Sequence, residues 1–460
     1  MFATWRCPMT KILDIRPALD DVRAALDAGS IDQATLLVAS LHPADAAAIL
    51  DELESDELYE VFARLNLEHG ADVLIELDTD SQVELAETLT SDQLSDLLEQ
   101  MEPDDAADVL VELEPAQIAA TLAAMDPEDS DDVRQLMEHD EESAGGLMTS
   151  HVVTLRDRLN AQQAIDLLRG LQPEDESVYY LYVVDANDGL VGVVSLRSLV
   201  MAPAQTLLSE IMDRNVITAS VETDQEECAR LLARYDLLAL PVVDAQRRIV
   251  GAVTADDIID VIEEEATEDM YRLANLPQDE DVEDSLFRSS RRRLFWLFIN
   301  LPTAILAAWV VSQFDGTVEK VTALVPFMPI IAGMGGNAGI QTLTLIVRSI
   351  ALGEVATGQG FRALGREVGI GAINGVAFGS AIGLLGWLWQ GKPMLGVVAG
   401  CAMLLNLVSA AIAGTVVPLT LKLFRVDPAL ASGVIVTTVT DVTGYSCLLG
   451  LATILIRYLI

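Results

Sequence analysis

From residue 294 onward the chain carries five stretches of roughly 20 or more mostly apolar residues, near 294–313, 321–347, 367–390, 394–421 and 430–457. As helices, stretches of that length cross a hydrocarbon core of ~30 Å. Lipid offers no hydrogen bonds to a backbone, so helices that satisfy their own N–H and C=O groups are the form open to them. Only one part of the chain is bound by this constraint. Residues 1–290 hold 65 of the 71 acidic residues and 17 of the 28 basic ones, a net of −48. Residues 291–460 hold 6 acidic and 11 basic residues, a net of +5. The break falls at Arg291-Arg292-Arg293, directly before the first apolar run.

Charge also orients the spans. With residues 1–290 inside, the inner flanks carry Arg291, Arg292, Arg293, Arg348, Arg362, Arg366, Lys422 and Arg425, and the outer flanks carry Lys320, Lys392 and Arg457. Eight against three satisfies the positive-inside rule, and five spans then put the C-terminus outside. The opening MFATWRCPMTKILDIRPALDD lacks an apolar h-region, so no secretory signal is expected. The acidic part is therefore expected in the cytoplasm, below a cell (inner) membrane that the rest crosses several times. So acidic a chain is unsuited to nucleic acid, which needs positive charge against phosphate. Cys7, Cys228, Cys401 and Cys447 are scattered and suggest neither a disulfide framework nor a zinc ribbon.

The acidic part reads as two kinds of structure. After a short extension (1–20), residues 21–146 show apolar spacings of three and four and a recurring unit. Leu41-His42-Pro43-Ala44-Asp45-Ala46-Ala47 returns as Met101-Glu102-Pro103-Asp104-Asp105-Ala106-Ala107, and more weakly at Met125-Asp126-Pro127. Proline suits a first helical turn, so a stack of short helices is expected. Residues 147–205 and 206–263 then form two α/β units. Asp185 and Asp244, Gly192 and Gly251, and Ser195 and Thr254 are each 59 positions apart, which marks a duplication. The pair resembles tandem CBS domains. An acidic connecting helix, 264–290, leads into the membrane part, 291–460. The fold class is thus multidomain: an all-α helical stack, a tandem α/β pair and a five-helix α transmembrane domain.

Asp441 lies in the middle of the last span. A carboxylate at that depth costs ~2.5–3.5 kcal/mol on insertion scales, so it needs a partner or water, and functional use is the default reading. Gly433, Thr437, Asp441 and Gly444 recur at helical spacing and give it a small, hydroxylic face. In the second span Gly333, Asn337, Gln341 and Thr344 share a face. Glycines at 333, 335, 336 and 339 permit the backbone to deform towards an ion path. In the third span Gly371, Gly375, Gly379 and Gly383 have no acid among them and suit close helix packing.

Four stretches carry a family resemblance: GMGGNAGIQTLTLIVR, DPALASGVIVTTVTDVTGY, TADDIIDVIEEEATEDMYRL and EESAGGLMT. With them the chain resembles the MgtE magnesium channels over nearly its whole length. The resemblance implies a homodimer with one pore between subunits, Asp441 selecting the ion and Asn337 and Gly336 flanking it. Gln341 and Thr437 lie on the same faces. It further implies that the acidic domains sense cytosolic Mg2+ and close the pore when it is high. Asp257, Asp260, Glu265, Glu268 and Asp269 on the connecting segment, with Glu222 and Asp224 in the second CBS unit, are the expected Mg2+ ligands. CBS pairs often hold an adenine nucleotide; Thr254 and Asp257 fit a phosphate and a ribose, whereas Ser195-Leu196-Arg197-Ser198 offers no acid. The expected function is therefore a gated channel that carries Mg2+ inward, not an enzyme. The alternatives are an exchanger coupled to H+ or Na+ and a broader Mg2+/Co2+ transporter.

Overall fold

The computed structural model describes residues 15–171, 180–274, 276, 286–351, 360–424, 426–430 and 432–460. They fall into two compact units, Met1–Val261 and Ile262–Ile460.

The first unit opens with α1 (Arg16–Asp27), α2 (Ile31–Val38), α3 (Pro43–Leu50), α4 (Ser55–Phe62) and α5 (Leu67–Ile75). It continues with α6 (Thr79–Thr88), α7 (Ser91–Leu98), α8 (Pro103–Val111), α9 (Pro115–Ala124) and α10 (Pro127–Leu136). From α2 to α10 every helix starts 12 residues after the one before it. The cause is local. Two positions before the first residue of α3 to α10 stand Leu41, Leu53, Leu65, Leu77, Leu89, Met101, Leu113 and Met125, all wholly or partly buried. Each tucks the incoming chain into the core. Proline opens α3, α8, α9 and α10, where its missing N–H has no partner to lose. Asn66 and Thr90 cap α5 and α7 through their side chains. The three copies legible in the sequence belong to this finer repeat. Each helix packs chiefly on the one two places along, so α3, α5, α7 and α9 form one row and α2, α4, α6, α8 and α10 the other.

Two three-stranded sheets follow. One is β1 (Thr154–Arg156), β2 (Tyr180–Val184) and β3 (Leu190–Ser195); the other is β4 (Ala219–Ser220), β5 (Ala239–Val243) and β6 (Ile249–Thr254). Tyr180 pairs with Ser195 and Ala239 with Thr254, and both hairpins carry a bulge at the matching step. Asp188 and Arg247, at φ 64° and 62°, turn the two hairpins at positions related by the same offset. Around the sheets lie α11 (Ala161–Leu171), α12 (Leu196–Met201), α13 (Leu208–Ile211), α14 (Gln225–Tyr235) and α15 (Ala255–Ala274). The second sheet unit shares one core with the helical stack, through Leu240, Val253 and Ile258 on its side and residues such as Leu110 and Val133 on the other. The first sheet unit has its own core around Leu155, Leu181 and Leu199.

The second unit holds α16 (Leu286–Ser312), α17 (Asp315–Lys320), α18 (Phe327–Ala351), α19 (Gly360–Gln390), α20 (Pro393–Leu423), α21 (Ser432–Ile454) and α22 (Ile456–Leu459). Among the described residues five helices are long and apolar enough to cross a membrane: α16, α18 with the short turn before it, α19, α20 and α21. The first is described from Leu286, so Arg291, Arg292 and Arg293 lie inside a helix, not ahead of one. Helix α20 is central and packs on α18, α19 and α21. Its contact with α19 is made through glycine. A Cβ on Gly379 would stand 2.7 Å from the Gly400 carbonyl, and one on Gly371 2.9 Å from the Leu407 carbonyl. The two backbones touch where a side chain would hold them apart.

Candidate functional site

The intramembrane residues sit on α18 and α21, which pack against each other. A Cβ on Gly336 would face Thr437 at 3.9 Å, so these two are brought together. Asp441 follows one turn after Thr437 and is half-buried, and among the described residues no donor bonds its carboxylate. Thr437 donates its hydroxyl to the Gly433 carbonyl at 2.9 Å, which leaves its oxygen free to accept. Gly333, Asn337, Gln341 and Thr344 form an exposed polar stripe along α18. The helix runs unbroken from Phe327 to Ala351, so the glycines do not deform it; its backbone bonds stay made. Gly444 does not lie on an open face either. The amide of Asn406 from α20 fills the space beside it, at 2.9 Å from where its Cβ would be.

A second group of residues lies in the first unit. Pro103 starts α8, which places Asp104 and Asp105 in its first turn beside Asp257 of α15. Asp104 is buried, and its Oδ1 has no hydrogen-bond partner among the described residues. Burial, then the neighbouring acids, push Asp104 well above the usual carboxylate range and raise Asp105 to about 7. Burial also raises Asp257, against the opposing hydrogen bond from Thr254. Only Asp257 of the three is legible as a ligand from sequence. Asp104 and Asp105 read as ordinary helix-start acids because their partner lies far along the chain.

A third group lies in the second unit, at the C-terminal end of α15. Leu273 anchors that end among Leu343 and Ala429. Arg272 forms ion pairs with Glu268 and Asp427. Burial raises Asp269 to about 6, and the charges of Asp427 and Glu265 add to the rise. Glu265, Glu268 and Asp269 thus converge, with Asp427 as the member that sequence reasoning missed. Asp260 and Glu222 are exposed. Asp224 is exposed as well and caps α14 by accepting from the Glu226 N–H at 3.0 Å. A further grouping, Glu99, Asp126 and Asp129, has its carboxylate oxygens within 4.8 Å of one another.

Thr254 and Asp257 are bonded to each other, the threonine donating. A cleft of about 480 Å³ is lined by Tyr180, Ser195, Leu196, Arg197 and Val200 of the first sheet unit and Leu238 of the second. It sets a cation and a hydroxyl against an apolar wall.

Comparison with known proteins matches residues 328–451 to the MgtE divalent cation transporter domain, 41–142 to the MgtE intracellular N domain, and 144–205 and 208–264 to CBS domains. The magnesium transporter MgtE of Thermus thermophilus is 38% identical over 329 residues, 70% of this chain and 72% of that protein. The magnesium transporter MgtE of Bacillus subtilis is 35% identical over 324 residues, again 70% of this chain and 72% of that one. The crystal structure of the cytosolic domain of the Mg2+ channel MgtE in complex with ATP matches 53% of this chain and 99% of its own, at 37% identity and a TM-score of 0.51. The soluble part of a magnesium transporter matches 55% of this chain and all of its own, at 29% identity and a TM-score of 0.50.

Proposed function

Because the chain belongs to the MgtE family of divalent cation transporters, we propose that it conducts Mg2+ into the cytoplasm through a path lined by Asp441. One observation carries this reading. A single copy leaves the stripe of Gly333, Asn337, Gln341 and Thr344 exposed on a membrane-spanning helix, next to a carboxylate that has no donor among the described residues. Hydrocarbon would penalise both. A second copy laid against this face would enclose them around water, with two Asp441 carboxylates and the Asn337 and Gln341 amides as oxygen donors. Mg2+ gives up its waters reluctantly, so such a path suits the hydrated ion. An inside-negative potential of about 100 mV is worth ~4.6 kcal/mol for a dication, enough to drive inward flow without ATP.

The acidic clusters supply the regulation. Asp104, Asp105 and Asp257 form one all-oxygen set; Glu265, Glu268, Asp269 and Asp427 form another in which Arg272 already pairs with Glu268 and Asp427. Asp104 is buried with an unpartnered Oδ1 among the described residues, and a hard dication would supply the positive charge that lets it and its neighbours ionise. Mg2+ held there would offset the burial and then the mutual repulsion that raise Asp104, Asp105, Asp257 and Asp269, and high cytosolic Mg2+ would stop the flow. For a nucleotide we favour the cleft at Tyr180, Ser195 and Arg197. Arg197 can meet phosphate there, whereas Thr254 and Asp257 already satisfy each other. The relative solved with ATP supports the reading.

Purified protein in liposomes tests the path. Asp441→Asn is expected to cut Mg2+ uptake at least tenfold, and Asp315→Asn, in the loop helix α17, to leave it unchanged. Similar losses in both would sink the proposal. Bilayer recording separates a channel from an exchanger: the reversal potential of a channel follows the Mg2+ gradient alone, whereas that of an exchanger shifts when pH or Na+ is changed on one side.

A further inference from the structure

Asn406 lies in the middle of α20, the central helix of the membrane unit, and is fully buried. Its Nδ2 donates to the Ile331 carbonyl of α18 at 2.8 Å, while its Oδ1 has no hydrogen-bond partner among the described residues. Two glycines make room for this one side chain. On α18, a Cβ at Gly335 would lie 2.9 Å from Cγ and 3.2 Å from Oδ1 of Asn406. On α21, a Cβ at Gly444 would lie 2.9 Å from its Nδ2 and 3.4 Å from its Oδ1. Any other residue at either position would collide with the amide. Gly335 directly precedes Gly336 and Asn337, and Gly444 stands one turn after Asp441. A single amide is therefore clasped between the two helices that carry the ion path, at the level of that path.

We infer that Asn406 is a positioning residue: clasped between Gly335 and Gly444, it sets the separation and register of α18 and α21 and so the spacing of the groups that discriminate the ion. The inference rests on the path proposed above. A buried amide with one oxygen unsatisfied is costly, and an apolar side chain of the same size would pack there at lower cost. What the amide adds is direction. Its hydrogen bond fixes the rotation of α18 about its axis, which aims Asn337 and Gln341.

The test uses full-length protein in liposomes, with Mg2+ and Ca2+ uptake measured separately and thermal unfolding followed in detergent. Asn406→Leu keeps the volume and removes the hydrogen bond. It is expected to lower the Mg2+-to-Ca2+ uptake ratio at least fivefold while the protein still unfolds cooperatively. An unchanged ratio overturns the inference. Should Asn406→Leu fail to fold, a second pair decides. Gly335→Ala alone is expected to lower Mg2+ uptake at least fivefold, and Gly335→Ala with Asn406→Ala to recover at least half the loss, because the new methyl takes the vacated space. No recovery overturns the clasp. Asp441→Asn is run beside them: if it transports like the unaltered protein, the path assignment itself fails, and this result is separate from any ratio read on Asn406.

Discussion

At the residue scale, a side chain is legible from sequence when its anomaly lies in its own neighbourhood. Asp441 announces itself because every residue around it is apolar or small. Asp104, Asp105 and Asp427 give no such signal. They are acids at helix starts or in a loop, and their meaning comes from partners more than 150 positions away. Asn406 stayed hidden for a related reason: one amide in a long apolar helix is unremarkable until two glycines from other helices are seen against it. The buried acids make a pH prediction with a definite sign. A carboxyl whose folded pKa is raised holds a proton that the unfolded chain has released, so its stabilisation is full below the unfolded value and is lost as pH rises through the folded one. For Asp105 that window runs from 3.8 to about 7. The loss is on the order of 4 kcal/mol at most by pH 8. With a chelator present, protection factors around α8, corrected for the intrinsic pH dependence of amide exchange, should therefore be higher at pH 5 than at pH 8. Added Mg2+ should restore protection at pH 8, and Asp105→Asn should flatten the profile. Protection that grows with pH in the chelated protein would refute this account of the cluster.

Elements were legible where their period is long or their landmarks repeat. The five spans and the 59-residue duplication are of this kind, and both hairpins share one register. The 12-residue period was visible only in part. Its helices are two to three turns long, and its one constant feature is a single Leu or Met ahead of each start, a signal diluted elevenfold by what lies between. That residue is nonetheless a core member. Leu77→Ala, at 5% exposure, should cost about 2–5 kcal/mol, whereas Leu36→Ala, at 71% exposure, should stay within about 0.5 kcal/mol. Local hydrogen exchange in α5 and α6 against α2 checks the contrast. In the membrane unit Gly379→Val should separate α19 from α20 and lower thermal stability in detergent. Gly369→Val on the same helix, with open space at its Cβ, should be tolerated. Equal effects would mean that the glycine contact does not hold these helices together.

At the scale of the whole molecule, the charge partition was the clearest thing the chain had to say: a part of net −48 that needs counter-ions and a part of net +5 that needs lipid. If the acidic part is a sensor, removing residues 1–262 should leave Mg2+ uptake that no longer shuts off at high internal Mg2+, and shut-off that persists would refute the sensor. Mg2+ should also shield residues 20–274 from protease at ionic strengths where Na+ does not; equal shielding would reduce the effect to screening. The twin rows of the helical stack carry one more consequence, which concerns length. Since each helix leans on its next-but-one neighbour, losing 24 residues would return every later helix to the row it came from. Losing 12 would exchange the rows and turn the side of α8 that bears Asp104 and Asp105 away from Asp257. The tolerance of this domain to shortening should alternate between odd and even numbers of deleted turns of the repeat.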